Sequence, residues 1–195
     1  GRIEDIRECI GCNICITGDM TMSISRCTQN PTFMEEWRKD WHPERMQEKG
    51  PSQNVLVVGA GPAGLEAAHA LAKRGYDVAL AEAGTELGGR VALECKLPGL
   101  AAWGRVRDYR EYQLSQMGNV ETYLNSELGP RDVLEFGFEN VAIATGSTWR
   151  RDGVARQHVV PMPIDDGMAI YTPDDLMAGN VPVGEVVIYD DDHYY

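Results

Sequence analysis

Val55-Leu56-Val57-Val58-Gly59-Ala60-Gly61-Pro62-Ala63-Gly64, running on into Leu65-Glu66-Ala67-Ala68-His69-Ala70-Leu71-Ala72-Lys73-Arg74-Gly75, decides the fold. Its first four residues are a short, uninterrupted apolar run, the pattern of a strand buried on both faces of a parallel sheet. The residues after Gly64 are strong helix formers with basic residues in the last turn and a glycine stop, which predicts a helix over 65–74. Between them lies G-x-G-x-x-G. A lone match would be weak, but a match placed between strand and helix is the dinucleotide-binding fingerprint. The first glycine makes the turn, the second lets backbone amides approach a pyrophosphate, and the third allows close helix–strand packing. The helix N-terminus adds partial positive charge.

Outward from this turn, Asp77-Val78-Ala79-Leu80-Ala81-Glu82 completes strand–helix–strand, and the right-handed crossover rule makes the two strands parallel neighbours. Glu82 closes the second strand, where a carboxylate accepts hydrogen bonds from ribose hydroxyls and repels a 2′-phosphate, so NADP is disfavoured at this site. Leu87-Gly88-Gly89-Arg90 follows shortly after. Residues 98–117 carry apolar spacing for a second helical region, 120–124 reads as a strand, and Val141-Ala142-Ile143-Ala144 reads as a buried strand ending at Thr145-Gly146. Glu185-Val186-Val187-Ile188-Tyr189 reads as one more strand, which runs into Asp190-Asp191-Asp192-His193, a solvated acidic turn. The expected class is therefore α/β with a Rossmann-like parallel-sheet domain. Lys49-Gly50-Pro51-Ser52-Gln53 supplies loop signals before it. The expected division is residues 1–50 as a cysteine-bearing segment, 51–180 as the nucleotide domain with its connection, and 181–195 as the first strand of a further, broken-off domain. The chain opens without methionine and stops just after a strand-like run, so the reading expects a part of a longer polypeptide.

The 195 residues carry a formal net charge of −12, a pI near 4.7 and 43% hydrophobic content. That predicts a packed core and disfavours nucleic acid and anionic lipid as partners. No stretch approaches the roughly 20 apolar residues of a membrane span, and the first 30 residues lack the regions of a signal peptide, so a cytoplasmic protein is expected.

Four of the five cysteines fall in residues 9–27 as Cys9-x2-Cys12-x2-Cys15-x11-Cys27. Three thiolates on one tight loop and a fourth returning from a short excursion suit the corners of a [4Fe-4S] cluster. Zinc is the alternative, although structural zinc sites generally use two separated pairs. Gly11 allows backbone to approach the cluster sulfides, and Ile10, Ile14 and Ile16 offer an apolar shell. Cys27 is followed by Thr28 rather than proline, which departs from the bacterial ferredoxin pattern. His42 and the pair Trp37 and Trp41 read as structural, and Cys95 stands apart with no assigned role.

Taken together, Arg7-Glu8-Cys9-Ile10-Gly11-Cys12-Asn13-Ile14-Cys15, Cys27-Thr28-Gln29-Asn30-Pro31, Trp41-His42-Pro43-Glu44 and the glycine motif closely resemble the trimethylamine, dimethylamine and histamine dehydrogenases. The resemblance spans essentially the whole chain. It implies a parent with an N-terminal barrel carrying FMN that oxidises a small amine, of the dimethylamine or histamine type, and a cluster that passes electrons to an electron-transferring flavoprotein. It implies ADP where relatives keep FAD, and a homodimeric parent. Carried over by residue, Cys9, Cys12, Cys15 and Cys27 are the cluster ligands. Gly59, Gly61, Gly64 and Glu82 contact ADP, with Ala60, Pro62, Ala63, Ala83, Gly89, Arg90, Ala144, Thr145 and Gly146 around it. No catalytic residue is expected here. Two other readings stay open: a reductase of the dienoyl-CoA type with FAD and NAD(P)H, whose second and third cysteines are normally spaced one residue wider, and a non-catalytic module that binds cluster and nucleotide and docks a partner.

Overall fold

The structure is a computed structural model and describes residues 2–35, 37, 47–155 and 158–190. His42 and Trp41 lie outside the described residues. Contacts divide the chain into one compact unit over 1–146 and a second over 147–195. Residue 50 falls inside the first unit, in which the cysteine segment packs against helices of the nucleotide domain through contacts described below.

The first unit is built on four parallel strands, β1 (Asn54–Val58), β2 (Asp77–Ala81), β3 (Val120–Tyr123) and β4 (Asn140–Ile143), in the spatial order β3-β2-β1-β4. The register pairs Leu56 with Ala79 and with Val141. Alternation sorts the side chains of β1 and β2 onto two faces. Val55, Val57, Val78 and Leu80 pack with Leu65, Ala68 and Ala72 of α2 (Pro62–Lys73) and with Leu114, while Leu56, Val58, Ala79 and Ala81 face Leu128, Val133 and Phe138. Both faces are covered, which is why the run 55–58 contains no polar residue. Leu56, Leu65 and Leu80 are each 0% exposed, and each such burial contributes about 2 kcal/mol.

α2 begins three residues earlier than its sequence pattern suggests, because Pro62, with its preset φ and no N–H to satisfy, occupies the first helical position. It ends in a Schellman arrangement in which Tyr76 N–H reaches Leu71 O at 3.2 Å and Gly75 N–H reaches Ala72 O at 2.9 Å. The helical region expected over 98–117 is a 3₁₀ turn, Ala101–Gly104, leading into α4 (Arg105–Ser115), with the short α3 (Arg90–Glu94) before it. The face α4 turns inward carries Val106, Arg110 and Leu114, spaced four apart. A cation in the middle of that stripe is explained below.

Two strand expectations need correction. β4 is an edge strand rather than a buried one: among the described residues it pairs only with β1, and Val141 and Ile143 are 38% and 65% exposed. Residues 185–189 form no strand, and Val187 is 95% exposed. An apolar β-branched run adopts a strand only where a neighbour takes up its backbone groups, and none pairs with it among the described residues. In the second unit a short helix, Pro173–Met177, is anchored by the Asp175 carboxylate, which accepts from Thr172 N–H at 2.7 Å and from Thr172 Oγ–H at 2.9 Å. The Arg151 guanidinium bonded to it holds its pKa down, at about 2.

Candidate functional site

The turn between β1 and α2 is fixed by close approach. Gly59 adopts φ +96°, and a Cβ there would lie 2.4 Å from Ala144 O, so the Ala144-Thr145-Gly146 end of β4 packs directly on the first glycine. A Cβ on Gly64 would lie 1.8 Å from Gly59 O, which brings helix and strand together at the third glycine. A Cβ on Gly61 would meet nothing within 4 Å. That second glycine therefore answers to no protein neighbour, and an open face at this position, at the positive end of α2, is what the approach of a pyrophosphate to backbone N–H groups requires.

Glu82 is tied into this turn more firmly than its sequence position suggests. Its Oε2 accepts from Ala60 N–H at 2.7 Å, and its Oε1 accepts from Gly84 N–H, beyond Ala83, at 2.7 Å. Each carboxylate oxygen keeps a further lone pair, so Glu82 can bind ribose hydroxyls while it shapes the loop. Gly88 N–H donates to Ala60 O at 2.8 Å, and a Cβ on Gly89 would stand 3.0 Å from Gly61 Cα. These contacts carry Gly89 and Arg90, at the start of α3, up to the rim of the same turn. The structure thus gathers the expected nucleotide residues at one end of the sheet.

The cysteine segment folds around two left-handed residues, Gly11 at φ +71° and Asn13 at φ +55°. Asn13 precedes α1 (Ile14–Met20), which carries Cys15 in its first turn. Gly11 N–H donates to Cys9 Sγ at 3.3 Å, the kind of hydrogen bond that stabilises a thiolate. Three further bonds hold the returning Cys27 segment against this loop. Cys12 Sγ lies 3.2 Å from Thr28 Oγ1, Ser25 Oγ–H donates to Cys15 O at 3.0 Å, and Gln29 Nε2–H donates to Glu8 O at 3.1 Å. All four cysteines are free thiols. Among the described residues no three His, Cys, Asp or Glu side chains converge as a single-ion cage does. A cubane asks for a wider arrangement, since each thiolate takes a different iron, and four soft donors braced in this way fit that group. Of the apolar shell, Ile10 is 5% exposed and packs with Val91, Val106 and Trp103, whereas Ile16 is 58% exposed and does not join it.

What the sequence did not point to is the joint between these two sites. Arg110, 2% exposed, uses four of its five donors: Nε–H to Glu66 Oε2 at 2.7 Å, Nη1–H to Gln29 Oε1 and to Val106 O at 2.9 Å each, and Nη2–H to Gln29 O at 3.3 Å. Arg7 also donates to Gln29 O, at 3.0 Å, and stacks its guanidinium 4.9 Å from the centre of the Tyr109 ring. Arg105 donates to Cys9 O at 2.7 Å, and Gln113 donates to Asp5 Oδ1 at 3.1 Å. The usable signal was Arg110 itself, a cation on the apolar stripe of its helix.

His69 lies beside this joint, 2% exposed, with the Tyr109 ring edge-on at 6.2 Å and no hydrogen-bond partner for Nε2 among the described residues. Burial pushes its pKa down to about 4; Glu66 works against this, while Lys73, Arg7 and Arg110 reinforce it. The folded protein therefore keeps His69 neutral while the unfolded chain takes up a proton below about pH 6.5, so stability falls as pH drops from 6.5 towards 4. Between about pH 7.5 and about pH 5 the expected loss from this group is about 2 kcal/mol. His69→Phe is expected to remove that part of the pH dependence, which urea unfolding of both proteins at the two pH values measures. Parallel pH profiles would sink the assignment.

A parallel sheet with a glycine turn at the head of its first helix and an acidic residue closing the second strand is a dinucleotide-binding domain of the Rossmann type. Residues 57–109 accordingly match the family described as NAD(P)-binding Rossmann-like domain. The whole chain is 76% identical to 29% of the chain in a solved structure of histamine dehydrogenase from Rhizobium sp. 4-9, with a TM-score of 0.90. It is 41% identical over 204 residues to dimethylamine dehydrogenase of Hyphomicrobium sp. (strain x), matching 28% of that protein. A solved 6-hydroxypseudooxynicotine amine oxidase from Pseudomonas geniculata N1 is 52% identical over 92% of the chain and 27% of its own, with a TM-score of 0.83. The chain corresponds to a fragment of these dehydrogenases, spanning a little over a quarter of the length of the relatives it matches. No helix among the described residues is long and apolar enough to cross a membrane.

Proposed function

We infer that this chain is the electron-relay portion of an amine dehydrogenase. In this reading a parent polypeptide oxidises a small amine of the dimethylamine or histamine type at FMN, and electrons leave through a [4Fe-4S] cluster held here to an electron-transferring flavoprotein. The observation that carries it is the placement of four free cysteines, spaced x2, x2 and x11, in a segment that Arg105 and Arg110 tie to the nucleotide domain within one compact unit. When bound, the cluster supplies one-electron transfer at a potential set by its ligands, their hydrogen bonds and solvent access.

The chain's own residues do the rest. Cys9, Cys12, Cys15 and Cys27 hold the cluster, the Gly11 N–H stabilises charge on Cys9, and Ile10 with Val91, Val106 and Trp103 keeps water from one side. Gly61 and the head of α2 receive the pyrophosphate of ADP, and Glu82 receives its ribose. The nucleotide organises structure, and chemistry on the amine belongs to residues outside the chain.

Native mass spectrometry of the anaerobically purified protein tests the reading. Added mass of one [4Fe-4S] cluster plus ADP is the expected result. FAD in place of ADP would move the assignment to a reductase that takes electrons from NAD(P)H, and zinc without iron would overturn the relay.

A further inference from the structure

The two sites are joined by one continuous chain of hydrogen bonds, buried at its centre and part-buried at its ends, whose ends lie close to both. Glu66 stands two residues after Gly64 in α2, the helix whose N-terminus faces the nucleotide. Arg110 of α4 binds Glu66 at 2.7 Å and grips both the side-chain and the backbone oxygen of Gln29. Gln29 lies two residues after Cys27, and its amide nitrogen donates to Glu8 O, directly before Cys9. The amide orientation is dictated by its partners, with Oε1 towards the cation and Nε2 towards the carbonyl. Gln29 and Arg110 are each 2% exposed, so neither can exchange these bonds for water. Movement of α2 at the nucleotide end must therefore either carry the two cysteine-bearing stretches at Glu8 and Gln29 with it or strand a buried guanidinium, which is strongly unfavourable.

We propose that Glu66, Arg110 and Gln29 are positioning residues that thermodynamically couple nucleotide binding at the glycine turn to cluster binding at the four cysteines. The proposal rests on the relay reading above, since it needs both ligands. Loading the cysteines fixes the stretches at Glu8 and Gln29, which fixes Arg110 and Glu66 and so holds α2 in its nucleotide-binding position. Linkage makes the effect reciprocal, so ADP favours the iron-loaded form by the same factor.

Calorimetric titration of ADP into the intact protein, iron-loaded and after anaerobic removal of iron by a chelator, reads the coupling directly. The iron-loaded form is expected to bind ADP at least about fivefold more tightly, the lower end of ordinary site-to-site coupling. In Gln29→Leu that ratio is expected to fall towards one while ADP still binds. Glu66→Gln, which keeps the shape and weakens only the charge on the acceptor, serves as the milder second variant and is expected to lower the ratio part of the way. A residue that merely stabilised the fold would shift both affinities together and leave the ratio unchanged. Protein that takes up both iron and ADP but shows the same ADP affinity with and without iron, or a ratio unaltered in both variants, overturns the coupling alone. Protein that takes up no iron or no ADP overturns the relay reading and the coupling with it.

Discussion

Gly64→Ala is expected to destabilise the nucleotide domain by about 4 kcal/mol or more and to abolish nucleotide binding, because the new methyl has nowhere to go. Its carbon would sit 1.8 Å from Gly59 O and 2.9 Å from Gly59 C, both backbone atoms, with Ala144 Cβ at 3.3 Å behind them. Relief requires α2 to lift from β1, and α2 carries Leu65, Ala68 and Ala72 into the core. Gly61→Ala makes the instructive contrast. No protein atom lies within 4 Å of the added carbon, so stability should change by less than about 1 kcal/mol. Nucleotide affinity should nonetheless fall steeply, since the methyl fills the space through which backbone meets pyrophosphate. Denaturant midpoints together with the mass of retained nucleotide separate the two effects. A Gly61→Ala protein that kept its nucleotide would show that this turn is not the binding surface.

Cys27→Ala should cost the protein nearly all of its iron, whereas Cys95→Ala should keep it. Three thiolates on the Cys9 to Cys15 loop leave one corner of a cubane without a protein ligand, and the affinity of such a site is tied to the folding of the segment that bears it. Loss of iron from Cys27→Ala should also loosen residues 2–30, which amide hydrogen exchange would register as lost protection around Gln29. Cys95 sits after α3 with its Sγ 3.5 Å from Ala92 O, outside the 9–27 segment, so its replacement leaves the four candidate ligands in place. Iron analysis of the two variants decides the ligand set. Equal iron in both would remove Cys27 from it.

The sequence made the chemistry easier to read than the architecture around it. Four cysteines and a glycine turn are legible because metal and phosphate chemistry impose spacing on a single stretch of chain. The strand, helix and strand of residues 54–81 are legible for a related reason, since burial on both faces forces a continuous apolar run. Edges obey no such constraint: β4 and the run 185–189 have the same β-branched composition as β1, and only the presence or absence of neighbours distinguishes them. The Gln29–Arg110–Glu66 joint was hidden for another reason. It is assembled from three segments up to 81 residues apart, and polar residues leave no periodic trace when they pair across a fold. Glu82 was half legible: its position at the strand end pointed to ribose, but its two bonds to Ala60 and Gly84 N–H show it also builds the loop it serves.

The four donors of Arg110 set a practical limit on how this polypeptide can be cut and recombined. A gene division at residue 50, where the loop signals invite one, would leave the downstream piece with a buried cation facing solvent and an emptied apolar seat where Ile10 had packed against Val91 and Val106. The upstream piece would lose Tyr109 from beneath the Arg7 guanidinium, Arg105 from the Glu8 carboxylate and Arg110 from Gln29 at the same stroke. Four cysteines at this spacing are accordingly no portable cassette: a host scaffold would have to reproduce the facing sides of α2 and α4 before it could accept them.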